Sequence, residues 1–412
     1  MASLLIKNIK QLVGCSNPVE PLRGIELSNL KIIKDAYVIV EDDEVVGFGL
    51  MCDLKNESAF SEIVNVSGKF LLPAWCDSHT HIVFPATREE EFIDKLKGLS
   101  YAEIAAKGGG ILNSARKLNY ATEDELFNSA WKRLEQIKLL GTGAVEIKSG
   151  YGLSVESEIK MLRVIKKLKE KSSLQIKSTF LGAHTFPIEF KENHQGYIDL
   201  IINEMLPIIA AEKLADYIDV FCETGFFSAE ETETICKAGM SYGLKPKIHA
   251  NQLNLSGGTQ IGVKLGAISV DHLETMDDEA IQILAQSNTI GTLLPTAAYF
   301  LRMPFQPARK LIDANCAIAL ASDYNPGSSP SGNMNIVVSM SCIQMKMLPE
   351  EAINAATING SFAMELNKEV GSIAIGKKAN FFITKPMNSL AYFPYSFGEN
   401  LIESVFINGI KV

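Results

Sequence analysis

Beyond residue 142 the chain alternates short apolar runs rich in β-branched residues with longer amphipathic stretches. Runs of strand character recur near 144–148, 176–183, 217–223, 245–250, 267–271, 289–294 and 317–322. Between the first two, the stretch 154–171 carries Ile159, Leu162, Ile165 and Leu168 at helical spacing. One further apolar run, 70–76, precedes them and ends in Asp77-Ser78-His79. Eight strand-like runs, each followed by a helical segment, predict a (β/α)8 TIM-like barrel over residues 67–364. An open doubly wound sheet is the alternative, but it would not gather strand ends so distant in sequence around one centre. Outside the barrel, 36–40 and 45–49 alternate about a polar turn, and 371–376, 379–383 and 404–409 read similarly. The segments 1–66 and 365–412 are therefore expected to join in one small β-sandwich domain that embraces the barrel.

Candidate chemistry sits where the strand-like runs end. His79 and His81, at i and i+2, face the same side of a strand. Of the six histidines, His184, His249 and His272 also close separate runs, while His194 lies in a polar stretch and looks incidental. In a barrel of this kind the carboxyl ends of the strands carry the active site. The eighth run ends in Asp323. That carboxylate reads either as a cap or Asx turn before Pro326, or as a fourth ligand beside His79, His81 and His249. Three neutral imidazoles and one carboxylate suit a single divalent cation, Zn²⁺ or Fe²⁺, with a position left for water.

Composition narrows the field. A chain of 412 residues that is 47% hydrophobic can bury a core larger than one barrel requires. The net charge of −9 argues against a nucleic-acid partner. No run approaches the roughly 18 apolar residues of a membrane span, and the first residues lack the pattern of a signal peptide. Seven cysteines without metal-like spacing suit a reducing cytoplasm. Gly108-Gly109-Gly110 does not match a phosphate loop and is expected to be a flexible loop or a cover over the active site.

The strings His79-Thr80-His81, Lys247-Ile248-His249, Asp271-His272-Leu273-Glu274 and Ser322-Asp323 resemble the metal-dependent amidohydrolase superfamily. Longer strings are similar to its imidazolonepropionase family. They are Phe84 to Glu89, Gly108 to Ile111, Lys148-Ser149-Gly150-Tyr151-Gly152-Leu153, Thr179 to His184, and Asn325-Pro326-Gly327-Ser328-Ser329-Pro330. The resemblance implies hydrolysis of 4-imidazolone-5-propanoate to N-formimidoyl-L-glutamate by one divalent ion per subunit. It implies that His272, off the metal, steers or takes a proton from the water, and that Asp323 relays one to the leaving nitrogen. Glu223 stands where two-metal relatives carry a bridging lysine, so one ion is expected. Lys148, on the second strand, is not that lysine.

A small anionic heterocycle as substrate makes Arg88 the expected partner of its propionate, with a surface charge as the other reading. Tyr151 and His184 are expected at the ligand, or else as packing and as a satisfied core histidine. Asn325, Gly327 and Ser328 are expected to bind polar groups. Gln252 departs from the family pattern, which places an acid at 251 or 252. Its amide can hold the ring but cannot carry a proton. Another cyclic amidohydrolase or a deaminase would share the metal set without Arg88, Tyr151 and Asn325, and a non-catalytic scaffold would lack ligands. A homodimer is expected from the fold alone.

Overall fold

The computed structural model describes residues 3–55, 57–99, 103 and 109–412. Eight parallel strands form the barrel: β1 (Trp75–Thr80), β2 (Thr142–Lys148), β3 (Gln175–Ala183), β4 (Tyr217–Cys222), β5 (Lys245–Ala250), β6 (Ser269–His272), β7 (Ile290–Leu293) and β8 (Ile318–Leu320). Their residues are almost all buried, as expected where helices cover the outside and side chains fill the inside. The intervening helices start at side-chain caps. Ser154 accepts from the Ser157 amide to open Val155–Lys171, and Thr122 and Ser228 form capping boxes with Glu125 and Glu231. Val155–Lys171 turns Ile159, Leu162, Ile165 and Leu168 inward against the barrel, the face its spacing predicts.

The barrel closes between β8 and β1. Just past β8, Ser322 donates its backbone N–H and its hydroxyl to Asp77, at 2.9 and 2.6 Å. Asp323 N–H reaches His79 O at 3.0 Å and His81 N–H reaches Tyr324 O at 2.9 Å. This seam sets Asp323 beside the two histidines of the first strand.

The terminal segments build one mixed sheet. Its strands run, in order, Ile410–Lys411, Ile402–Ile407, Phe381–Thr384, Phe70–Pro73, Ser3–Val13, Ile32–Glu41 and Glu44–Leu50, and Glu62–Asn65 also pairs with Ser3–Val13. The sheet packs Ile6, Ile9, Val38, Phe381 and Phe406 into a core of its own. The apolar run 70–76 is two strands rather than one. Ala74 N–H still bonds Asn380 O of the terminal sheet, whereas Trp75 N–H bonds Gly141 O of the barrel, so the chain changes sheets between them. Phe70–Pro73 thus links N- and C-terminal segments, parallel to Ser3–Val13 and antiparallel to Phe381–Thr384. Among the described residues no helix is long and apolar enough to cross a membrane.

Candidate active site

The register of the barrel aligns His249 with Asp271 and Ala250 with His272 on neighbouring strands. The candidate ligands gather there at the carboxyl ends. Ligand atoms of His79, His81 and His249 lie within 4.8 Å of one another, as do those of His79, His272 and Asp323. Asp323 Oδ1 is 3.5 Å from His79 Nε2 and 3.6 Å from His81 Nε2. All five side chains are buried. Burial, reinforced by Lys148 and neighbouring imidazoles, holds His79, His81 and His249 well below the usual histidine range, so they are neutral, the form that binds metals. Nε2 of His79 and of His249 are buried without a hydrogen-bond partner. Orphaned lone pairs converging on one point, beside a carboxylate, fit a divalent cation.

Under these ligands lies a layer of wholly buried charges. Asp271 Oδ2 is 2.7 Å from His79 Nδ1, and Asp219 Oδ2 is 2.9 Å from His249 Nδ1. Lys148 Nζ sits 2.8 Å from Asp219, 3.4 Å from Asp271 and 2.6 Å from Glu146. Lys247 pairs with Glu146 as well. The Asp271 carboxylate behind His79 fixes that ring's tautomer and leaves its Nε2 free for a cation, whereas Asp219 stands beside His249 Nδ1 without a hydrogen bond to it. Lys148 therefore sits one layer below the ligands, bridging their carboxylate partners, and is no ligand itself. Glu223 is also off the centre. Its carboxylate is occupied by the amides of Thr224, Leu253 and Asn254 and by the Asn254 side chain, which shape the loop after β5.

A cavity of about 990 Å³ opens above, lined by His81, His249, His272 and Asp323 together with Arg88, Tyr151, His184, Gln252, Asn325, Gly327 and Ser328. Phe221, Phe226 and Phe300 supply apolar wall. Arg88 is half-buried and no outward surface charge. Its Nε donates to Ser114 Oγ at 3.0 Å, and its guanidinium lies 5.6 Å from the Tyr151 ring centre. Tyr151 stands 5.8 Å from the His81 ring. His184 stacks on His81 at 5.3 Å, with Nδ1 2.9 Å from Gly150 O. One nitrogen is thus satisfied in the wall while the residue still lines the cavity.

The turn after β8 is used differently from the expectation of free polar groups. Asn325 Oδ1 accepts the amides of Gly327 and Ser328 at 2.7 and 2.8 Å, and Nδ2 donates to Asp323 O and Ser328 Oγ at 2.7 and 2.6 Å. Its amide is spent inside the turn, which follows Asp323 at φ 52°. Ser328 Oγ reaches Asp323 Oδ2 at 3.2 Å, so the turn braces the carboxylate. Burial pushes Asp323 up to about 6, against the pull of His272, Asn325 and Ser328. His272 is drawn down by burial, but the Glu274 and Asp323 carboxylates hold it above the ordinary histidine value.

Several site residues were not singled out from the sequence. Ser114 anchors Arg88, and Lys95, over the Phe300 ring and bonded to Gly327 O at 3.3 Å, brings a second cation into the cavity. Glu146, Asp219 and Lys247 had a legible signal: charged residues inside β-rich runs must be paired when buried. Gly109 and Gly110 are buried, and Gly110 precedes helix Ile111–Tyr120; Gly108 lies outside the described residues. His194, stacked on Phe186 and 2.8 Å from Glu231, is at the surface.

Residues 147–412 match the amidohydrolase family. The chain is 57% identical over 406 residues to the imidazolonepropionase of Flavobacterium johnsoniae, covering 98% of each chain. It is 42% identical to that of Thermoanaerobacter pseudethanolicus, over 98% of this chain and 96% of the relative. In three dimensions it superposes on a triazine hydrolase variant with a TM-score of 0.75 at 14% identity, over 99% of this chain and 94% of the other. An adenosine deaminase from Xanthomonas campestris with bound zinc gives a TM-score of 0.71 at 15% identity, over 100% and 92%. At such identities the two structures show a shared fold.

Proposed function

The chain belongs to the imidazolonepropionase family of the amidohydrolases, and from that membership we propose how its own residues open the ring of 4-imidazolone-5-propanoate. The reaction is hydrolysis of a cyclic amide: water adds across the C–N bond and N-formimidoyl-L-glutamate is released. The observation that carries the residue assignment is the meeting, in one cavity, of the His79–His81–His249–Asp323 cluster with the half-buried Arg88 guanidinium.

His79, His81, His249 and Asp323 would hold one Zn²⁺ or Fe²⁺ ion per subunit, with Asp271 orienting the His79 ring and Asp219 accepting the backbone N–H of His249. When bound, the ion lowers the pKa of a water and polarises the amide carbonyl. His272 takes the proton from the attacking water as it adds to the carbonyl carbon. Asp323 relays that proton to the departing ring nitrogen, so the proton lost by the water is the one gained by the leaving group. Arg88 clamps the propionate with its planar fork, held in place by Ser114. Tyr151 donates its hydroxyl, and Gln252 holds the ring through its amide without taking part in proton transfer. Phe221, Phe226 and Phe300 supply apolar wall beside these contacts, which lowers the local dielectric and strengthens them. All seven cysteines are free, which supports a place in the reducing cytoplasm.

The test is turnover of 4-imidazolone-5-propanoate with identification of N-formimidoyl-L-glutamate as product. Failure to open that ring, with ammonia released instead from an aminated heterocycle, would favour a deaminase.

A further inference from the structure

One buried carboxylate at the site has no place in the mechanism above. Glu274 is two residues beyond His272, its side chain 1% exposed. Among the described residues its hydrogen-bond partners are His272 and Gln306. Its Oε1 lies 3.5 Å from His272 Nδ1, at the outer limit of a hydrogen bond, and accepts Gln306 Nε2 at 2.9 Å. Glu274 Oε2 and Gln306 Oε1 are buried without partners. A carboxylate so poorly compensated costs stability, and an apolar side chain would fill the same space more cheaply. The backbone adds a second cost. His272 and Leu273 adopt φ values of +88° and +64°, which a bulky side chain rarely takes. Strain of that kind persists where the surrounding structure enforces it, and functional sites are where it gathers. Here it connects the ring at His272 to the carboxylate at Glu274.

We infer that Glu274, braced by Gln306, is a positioning residue that fixes the ring plane and tautomer of His272. Glu274 accepts a hydrogen bond from Nδ1–H, which keeps the ring proton on that nitrogen. Nε2 is then left as the lone pair that faces the reacting water, next to the ligand atoms of His79 and Asp323. The 3.5 Å contact shortens when substrate fills the cavity, as catalytic hydrogen bonds do on forming the complex. Gln306 stops the carboxylate from turning away from the ring. The inference rests on the assignment of His272 as the proton acceptor.

The experiment compares the metal-loaded parent with Glu274→Leu, Glu274→Gln, Gln306→Leu and His272→Ala. It measures kcat, KM, metal content and the ¹⁵N shifts of labelled histidine, a spectrum of only six rings. Glu274→Leu should lower kcat by about 10- to 100-fold, the range of other residues that orient a site through a neighbour, with metal retained and KM within about twofold. Its His272 signals should move to a tautomer mixture. Glu274→Gln keeps an acceptor oxygen and should recover kcat to within about fivefold of the parent, because the tautomer matters more than the charge. Gln306→Leu leaves both partners in place and should show a smaller loss with the same spectral change; it decides the question if Glu274→Leu does not fold. Unchanged kcat and tautomer in these variants, or no recovery by Glu274→Gln, overturns the positioning role. Parental turnover by His272→Ala would instead remove the assignment on which it rests.

Discussion

Replacing Arg88 with methionine removes the cation expected to hold the propionate while keeping an unbranched apolar side chain. Arg88 is half-buried, its Nε tied to Ser114 Oγ at 3.0 Å, and it faces the cavity beside Tyr151. Loss of one charge-assisted, partly desolvated pair costs about 2–4 kcal/mol. Lys95 lines the same cavity and survives the substitution, so part of the positive field remains. The lower half of the range applies, about 2–3 kcal/mol or roughly 30- to 150-fold in kcat/KM. Arg88→Lys should recover part of it, since an ammonium keeps charge but loses the planar fork. The assay is steady-state hydrolysis of 4-imidazolone-5-propanoate, with metal content and Tm measured on the same samples. Parental kcat/KM in Arg88→Met would show that the carboxylate is bound elsewhere. A parallel fall in metal content and Tm would show that Arg88 serves the fold instead.

Two further substitutions probe the same cavity. His272→Ala should lower kcat by about 10²- to 10⁴-fold with metal content intact, as loss of a proton acceptor does; unchanged turnover in a steady-state assay would exclude His272 from proton transfer. In Gly327→Ala the new Cβ would stand 2.4 Å from Arg88 Nη1. The guanidinium is the mobile partner, so Tm should hold while KM rises, by about 3- to 30-fold for a misplaced clamp. A KM unchanged within error would separate the turn from substrate binding.

The parts of this site legible in the sequence are those governed by local periodicity. His79 and His81 at i and i+2, and His249, His272 and Asp323 at strand ends, need only the alternation of a strand and the rule that strand ends converge. What lay beyond reach depends on contacts made when the barrel closes. The Asp271–His79 contact spans 192 positions and the Lys148–Asp219 pair 71, and no local pattern signals either. The split of the run 70–76 was hidden because the chain is apolar on both sides of the switch, from Phe70 to Cys76. It is set by which carbonyl each amide meets, Asn380 or Gly141. Lys95 sits in the charged helix Glu89–Leu96, which reads as a solvated face until Phe300 is placed beside it. The amide of Asn325 looked available to a ligand, and only the folded turn reveals that it is spent on its own neighbours.

The most direct test of the whole account is a paired measurement of metal content and turnover on purified parent and His249→Ala proteins. The site geometry predicts about one equivalent of zinc or iron per parental chain and hydrolysis of 4-imidazolone-5-propanoate that a chelator abolishes and the metal restores. His249→Ala should lose both the metal and the activity while remaining folded. Two tightly held metals per chain, or a His249→Ala protein that keeps its ion and its turnover, would contradict it.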